Sequence, residues 1–328
     1  MKIDPELQAA LDAIAAGPGD DGRKQVLADL LLERGDPRGE FMLLQFLLSA
    51  NQASGAMRRQ ADELWRRHRQ AWLAGVRPLL ADVKLERGFP VEATLVPAAM
   101  PAAQLEQAVR SPMFCTLRRL RAKAGEAALV DLAAHPRMRA LTELVLTRRA
   151  DFEALASRGV PGRLRRLELT FGLDEPLAVL LATAPAFSSL SALSFRVSEP
   201  ARRRAEAAPS PGLVPVLRAL SGHAALEAVG VGGVHLGDRL RFLEVAAAWP
   251  SLRFRQLSAV GSFELARADD GTEVTLQNMT YETLARLRGA LPPGTVRVRL
   301  MPDRRPDQPI DRDAMLAAYA GLDVKTLP

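Results

Sequence analysis

Apolar residues in the first eighty positions recur at helical spacing. Leu7, Leu11 and Ile14 share one face of a first helix, which "GPGDDG" (17–22) ends. Val26, Leu27, Leu30 and Leu31 set a second apolar stripe, and Phe41, Leu44, Leu47 and Leu48 a third. After the loop "NQASG" (51–55), "MRRQADELWRRHRQAWLAGVRPLL" mixes Leu64, Trp65, Trp72 and Leu73 with arginine clusters, the pattern of a long amphipathic helix. Residues 1–82 are therefore expected to form a helical module.

From residue 83 the pattern changes to Leu-x-x-Leu-x-Leu. It appears as "LRRLRA" at Leu117, "LTELVL" at Leu141, "LRRLEL" at Leu164, "LSALSF" at Leu190 and "LEAVGV" at Leu226. Weaker copies are "VEATLV" near Val91 and "LRFRQL" at Leu252. From Leu117 onward the steps are 24, 23, 26, 36 and 26 residues. Each copy follows a helical stretch such as "EPLAVLLATAP" or "GLVPVLRALSGH". One short strand plus one helix per step is the period of a leucine-rich repeat. The long step holds "SEPARRRAEAAPSPG" (198–212), which reads as an insertion. The repeats are degenerate: Arg149, Gly172 and Val234 stand where such repeats often carry Asn.

Residues 261–328 depart from the repeat. "SFELARADDGTEVTLQN" alternates apolar and polar residues on both sides of Asp269-Asp270-Gly271, a hairpin signal. "TYETLARLRGAL" follows as a helix and "TVRVRL" as a strand, and the tail ends in a short docked helix. The expected fold class is α/β: a leucine-rich-repeat-like solenoid over 83–260, an α-helical cap module over 1–82, and a strand-rich cap and tail over 261–328.

"ERGDPRGEF" (33–41) concentrates charge between apolar flanks. Gly35 stands where a helix should stop, Asp36 where the next should be capped, and Pro37 at its first position. Asp29, Glu33, Arg34, Arg38 and Glu40 are then left to pair across the turn or to face water. The run reads as a folding signal.

The longer stretch "DDGRKQVLADLLLERGDPRGEFMLLQ" (20–45) resembles the signature of the bacterial repeat-companion domain family. Ala28, Asp29, Leu31, Glu33 to Glu40 and Phe41 match its run, with Leu30 in place of the usual aromatic. "WLAGVRPLL" and "LERGFPVEATL", with Arg87-Gly88-Phe89, resemble the end of the same module. The resemblance covers about the first 95 residues. It implies a domain that accompanies repeat arrays, leucine-rich ones among them, and implies little biochemistry.

Composition narrows the chemistry. The 328 residues are 48% hydrophobic and 25% charged, ordinary for a chain with a packed core. The net charge of +6 permits an acidic partner, although arginine-rich coding alone accounts for it. One cysteine, Cys115, excludes an intrachain disulfide and a cysteine-based metal cluster. The N-terminal stretch lacks a signal-peptide core and no run approaches a membrane span, so the expected compartment is the cytoplasm, with no membrane partner. His68, His135, His223 and His235 form no ligand motif. Asp303, Asp307, Asp311 and Asp313 lack calcium-loop order. P-loop, nucleophile-elbow and dinucleotide fingerprints are absent. No catalytic residue, metal or cofactor is expected. Cys115 beside Arg118 and Arg119 is the weakest alternative, a reactive thiol.

What remains is surface. Residues alternating with the strand leucines face out of the sheet's concave side. These are Arg119, Arg121 and Lys123; Glu143, Val145 and Thr147; Arg166, Glu168 and Thr170; Ala192, Ser194 and Arg196; and Ala228, Gly230 and Gly232. The first rows are arginine-rich and the last is nearly bare, which lets a partner backbone approach. The expected function is non-enzymatic: a scaffold that binds another protein, one with an acidic patch, through Arg119, Arg121, Lys123, Glu143, Thr147, Arg166, Glu168, Thr170, Ser194 and Arg196. The alternative is nucleic-acid binding through the arginine clusters at 58–69, 118–123, 163–166 and 202–204, against which stands the scarcity of aromatics, 5% of the chain.

Overall fold

A computed structural model describes residues 4–52, 54–77, 79–96, 106, 109–122, 127–158, 163–196, 213–232, 239–259, 263–279, 287–302, 313, 317 and 319–326. They form a mixed α/β fold in two compact units, Met1–Leu164 and Arg165–Pro328.

The first unit opens with four helices: α1 (Pro5–Ala16), α2 (Asp21–Glu33), α3 (Pro37–Ser49) and α4 (Gly55–Trp72). Each starts at a side-chain cap: Asp4, Asp20, Asp36 and Ser54 accept from backbone N–H groups one or two positions into the helix. The charged turn behaves as its residues dictate. Gly35 takes φ +67 and donates to Leu32 O at 2.9 Å, while Asp36 N–H reaches Leu31 O at 2.9 Å. These two bonds are the Schellman closure of α2. Asp36 then accepts from Arg38 N–H at 2.8 Å and α3 begins at Pro37.

The predicted stripes bury Ile14, Leu27, Leu31, Phe41 and Leu44; Val26 departs from its stripe and is 57% exposed. Phe41, Leu44 and Ala61 form a cluster against which Leu64, Trp65, Trp72 and Leu85 pack.

Arg38 also departs from expectation. It turns inward, donating to Gly88 O at 2.8 Å, and its guanidinium lies 5.0 Å from the Phe89 ring centroid. Burial pulls its pKa down to about 10, against the opposing charge of Asp36, so it stays cationic at neutral pH. Arg38 thereby ties α3 to the hairpin of β1 (Leu80–Glu86) and β2 (Phe89–Leu95). The hairpin turn, Arg87-Gly88, has φ +50 and +76, the paired positive values of a two-residue type I′ turn. Gln45 on α3 accepts from Gly88 N–H at 2.7 Å, and Arg87 pairs with Asp21 at 3.0 Å. The "ERGF" motif is thus a turn built to be gripped by α2 and α3.

Beyond the hairpin the unit continues with β3 (Arg119–Ala122), α5 (Ala127–Ala134), β4 (Glu143–Leu146) and α6 (Arg149–Arg158). β1 and β2 are antiparallel; β2, β3 and β4 are parallel. The second unit holds β5 (Arg166–Gly172), α7 (Glu175–Thr183), β6 (Ala192–Arg196), α8 (Leu213–Leu220), β7 (Ala228–Gly232), α9 (Arg239–Ala248) and β8 (Gln256–Ala259). β5 to β8 are parallel neighbours in chain order. The hairpin β9 (Phe263–Ala268) and β10 (Gly271–Met279) then extends the sheet, followed by β11 (Thr295–Pro302) and β12 (Asp323–Thr326). The predicted hairpin turn stands: Gly271 takes φ +150, which favours glycine.

The leucine pattern has its expected use. The apolar positions of all five strong copies, from Leu117 to Val231, are at most 4% exposed. Each fully buried Leu or Phe stabilises the fold by about 1.5–3 kcal/mol relative to exposure. A second repeating device is absent from any side-chain pattern. The carbonyl just before a strand accepts two N–H groups from the next turn: Arg118 O from Thr142 and Glu143, Arg165 O from Ser191 and Ala192, Ser191 O from Glu227 and Ala228, and Glu227 O from Arg255 and Gln256.

The two weak copies sit in different registers from those expected. Ala93 pairs with Leu120, so the β2 copy begins at Pro90. Leu257 pairs with Val229, so the β8 copy is Phe254-x-x-Leu257-x-Ala259 and Arg255 lies outside. The expected insertion at 198–212, most of the helix in "TYETLARLRGAL" and most of the terminal helix lie outside the described residues.

Candidate interaction face

The strand positions between the buried leucines line up within each unit. In the first unit Glu92, Arg119 and Glu143 are register partners, as are Thr94, Arg121 and Val145. Charge alternates along the first row, with Arg119 Nε 4.0 Å from Glu143 Oε2. Lys84 reaches Glu92 at 3.0 Å. Arg121 is exposed. Two neighbours are not available to a partner as expected. Val145 is 1% exposed, and Thr147 Oγ1 is buried without a hydrogen-bond partner. Lys123 lies outside the described residues.

In the second unit one row runs Arg166, Ala192, Ala228, Gln256, Ala266, Glu273, Arg297, Asp323. The other runs Glu168, Ser194, Gly230, Ser258, Glu264, Thr275, Arg299, Lys325. Ala192, Ser194, Ala228, Gly230 and Ser258 make a floor of small residues. On one side stand Arg166, Glu168, Thr170 and Arg196, of which Arg166 and Arg196 are exposed, as is Ser194. A Cβ on Gly230 would lie 3.4 Å from Ser194 Oγ and 3.7 Å from Ser258 Oγ, ordinary contact. Packing therefore does not require glycine there.

The other side of the floor escaped the sequence reading. Arg297 reaches Asp323 at 2.9 Å and Glu273 at 3.1 Å, and these hydrogen bonds raise its pKa. Arg299 Nε lies 2.7 Å from Glu273 Oε1 as an ion pair, although the N–H is not aligned for a hydrogen bond. Gln256 donates to Glu264 at 2.6 Å. The alternation in "TVRVRL" carried the signal: it places both arginines on one face of a strand.

No family model, curated protein or solved structure matches the chain.

The other candidate groups have structural employment. Cys115 is 2% exposed and its thiol donates to Pro112 O at 2.7 Å. Burial pushes its pKa up to about 11, outweighing the charges of Arg137, Lys24 and Arg139, so it is a protonated thiol at neutral pH. His223 donates from Nε2 to Phe187 O at 2.8 Å and accepts Ala225 N–H at Nδ1. His135 repeats the arrangement, with Glu106 at 3.1 Å and Arg137 N–H. His68 stacks on Trp72, while His235 and the aspartates at 303, 307 and 311 lie outside the described residues. No group of three or more His, Cys, Asp or Glu side chains converges among the described residues. No helix among them is long and apolar enough to cross a membrane.

Asp151, in the first turn of α6, is 6% exposed, and its Oδ2 has no hydrogen-bond partner. Burial raises its pKa above the ordinary carboxyl range, against the lowering charge of Arg148. A carboxyl with a raised folded pKa favours the fold when protonated; that advantage is lost as pH rises from the unfolded value through the folded one. Asp151→Asn is therefore expected to melt higher than the parent near neutral pH, with the difference vanishing by about pH 3. Paired thermal melts across that range check it, and an unchanged or lower neutral Tm contradicts it.

Proposed function

We propose that the chain is a non-enzymatic interaction protein: a helical module of the repeat-companion type capping a degenerate leucine-rich-repeat-like solenoid. Its polar sheet face binds another protein. The observation that carries the reading is the floor of small residues between charged margins, held in register by the strand pairing. A floor without large side chains lets a partner's backbone come close, and charged rims select register and orientation. Exposed Arg121, Arg166 and Arg196 favour acidic groups on the partner. A buried free thiol at Cys115 suits the cytoplasm.

Two arginines of the 163–166 cluster that raised the nucleic-acid alternative, Arg163 and Arg165, are committed to the fold, as are Arg137 and Arg267 outside the clusters. Arg137 donates to Arg110 O at 2.7 Å, Arg163 to Arg139 O at 3.0 Å and Arg165 to Ser189 O at 3.4 Å, each bridging successive turns. Arg267 caps Trp249 O, Leu252 O and Phe254 O while lying over the Trp249 ring. Such groups supply few contacts to phosphate.

The test is affinity capture from the native cell with mass spectrometry, using the parent chain and an Arg121→Glu plus Arg166→Glu variant. A protein held by the parent is expected to be lost by at least about tenfold from the variant, because reversal sets like charges against it. The variant should melt at the parent temperature. Undiminished capture of every partner would sink the sheet-face reading.

A further inference from the structure

The polar sheet face leaves one basic feature unused. Between the C-terminal half of α4 and β1 lies an open cleft of about 530 Å³, lined by Trp65, Arg69, Gln70, Arg77 and Asp82 over an apolar floor that includes Leu80. Arg69 on α4 and Arg77 in the turn after it are exposed, and so are Arg58, Arg59 and Arg66 earlier on the helix. Among the described residues none of these five forms an ion pair, in contrast to Arg67, which pairs with Glu63 at 2.6 Å. These arginines are not spent on backbone carbonyls as the turn arginines are.

The aromatic shortage is global and not local. Two of the chain's three tryptophans, Trp65 and Trp72, stand on this helix. Trp65 stacks on Phe41 at 6.0 Å and also lines the cleft. Asp82 sits at the β1 bulge between Ala81 and Lys84 with φ +49. A positive φ is uncommon for a residue with a side chain, and bulges and such outliers gather at binding sites.

We infer that this cleft and the arginine row leading into it bind single-stranded nucleic acid. An unstacked base enters beside Trp65, its polar edge facing Gln70 and, through its imino hydrogen, Asp82. The flanking phosphates lie on Arg69 and Arg77, and the strand continues along Arg66, Arg59 and Arg58. The row from Arg58 to Arg69 is ~17 Å long at 1.5 Å per residue, enough to meet successive phosphates. Base stacking with arginines beside the ring is how strands are held without sequence readout. A duplex keeps its bases stacked and cannot fill the cleft. An acidic polypeptide would use the arginines but leave the ring idle and bring its carboxylates against Asp82.

The experiment titrates the full chain with fluorescein-labelled oligo(dT) and oligo(U) of about 12 nucleotides, reading anisotropy and tryptophan fluorescence. Saturable binding with tryptophan quenching is expected, weakening steeply between roughly 50 and 200 mM salt. The tighter of the two strands names the ligand chemistry. Arg69→Ala plus Arg77→Ala should weaken binding about tenfold or more, while Arg253→Ala plus Arg255→Ala, equally exposed in the second unit, leaves it unchanged. Absence of binding, equal weakening by both pairs, or displacement of the oligonucleotide by polyglutamate of matched charge would overturn the inference. The Arg121→Glu plus Arg166→Glu variant should bind the oligonucleotide as the parent does, so this site and the sheet face fail independently.

Discussion

Gly39→Ala is expected to lower the stability of the chain by about 3 kcal/mol, the upper end of the usual overpacking penalty. Gly39 lies in the first turn of α3, where a helical residue normally gains from acquiring a Cβ: Ala is favoured over Gly by about 1 kcal/mol. Packing reverses that sign. A Cβ at this position would lie 2.7 Å from both Ala28 O and Leu32 N and 3.0 Å from Leu31 Cβ. Two of the three obstacles are backbone atoms of α2, which no rotamer change can clear. The helices would have to separate, and the buried contacts of Leu27, Leu31 and Met42 would loosen with them. Thermal or denaturant unfolding decides the matter: an increase in stability would show that α2 and α3 do not approach this closely.

Gly39 also shows where the sequence stopped being informative. In "ERGDPRGEF" the roles of Gly35, Asp36 and Pro37 are local, and local rules identify them: a left-handed stop, a side-chain cap and a ring that needs no N–H. Gly39 and Arg38 act at a distance. One is small because a neighbouring helix crosses there. The other is charged yet turned inward, because Gly88 O and the Phe89 ring meet it fifty residues later in the chain. No spacing within the motif announces either role. The same division holds along the repeats. Leu120, Leu144 and Leu193 were legible because strand burial imposes a short period. Val145 was misplaced because alternation assigns it a side of the sheet but not an exposure. On the candidate face, Arg121, Ser194 and Arg196 stood exposed as expected. The opposite margin, Glu273, Arg297 and Arg299, went unseen because it comes from strands outside the leucine pattern.

Arginine illustrates how composition misleads in both directions. A surplus of cationic side chains suggests a polyanionic partner, yet Arg163, Arg165 and Arg267 complete the hydrogen bonding of turn carbonyls. A buried or half-buried carbonyl left without a donor costs about 1–3 kcal/mol. Short strands joined by tight turns expose many such groups, and a long guanidinium with several donors reaches them across a repeat. Once those arginines are set aside, the basic character concentrates on α4, where the side chains have no such duty.

The last repeat provides the sharpest test of register, because two alignments of one segment predict opposite outcomes. Starting the pattern at Leu252 makes Arg255 the inward position and leaves Phe254 between strand positions. The pairing of Leu257 with Val229 makes Phe254 the first apolar residue of the copy and places Arg255 outside. Phe254 is 0% exposed, just ahead of β8 in the chain. Phe254→Ala is therefore expected to cost about 3–5 kcal/mol, the transfer free energy of the ring plus the cavity it leaves. Arg255→Ala should change stability by no more than about 0.5 kcal/mol, as exposed substitutions do. Equilibrium unfolding of the two variants beside the parent separates the alignments. Comparable losses, or a larger loss at Arg255, would mean that the strand is shifted by two residues, which leaves Gln256 and Ser258 on the polar face but sets Gln256, in place of Ser258, opposite Gly230. The larger amide would then interrupt the floor of small residues in the Gly230 row, ahead of the charged margin contributed by β9 to β11.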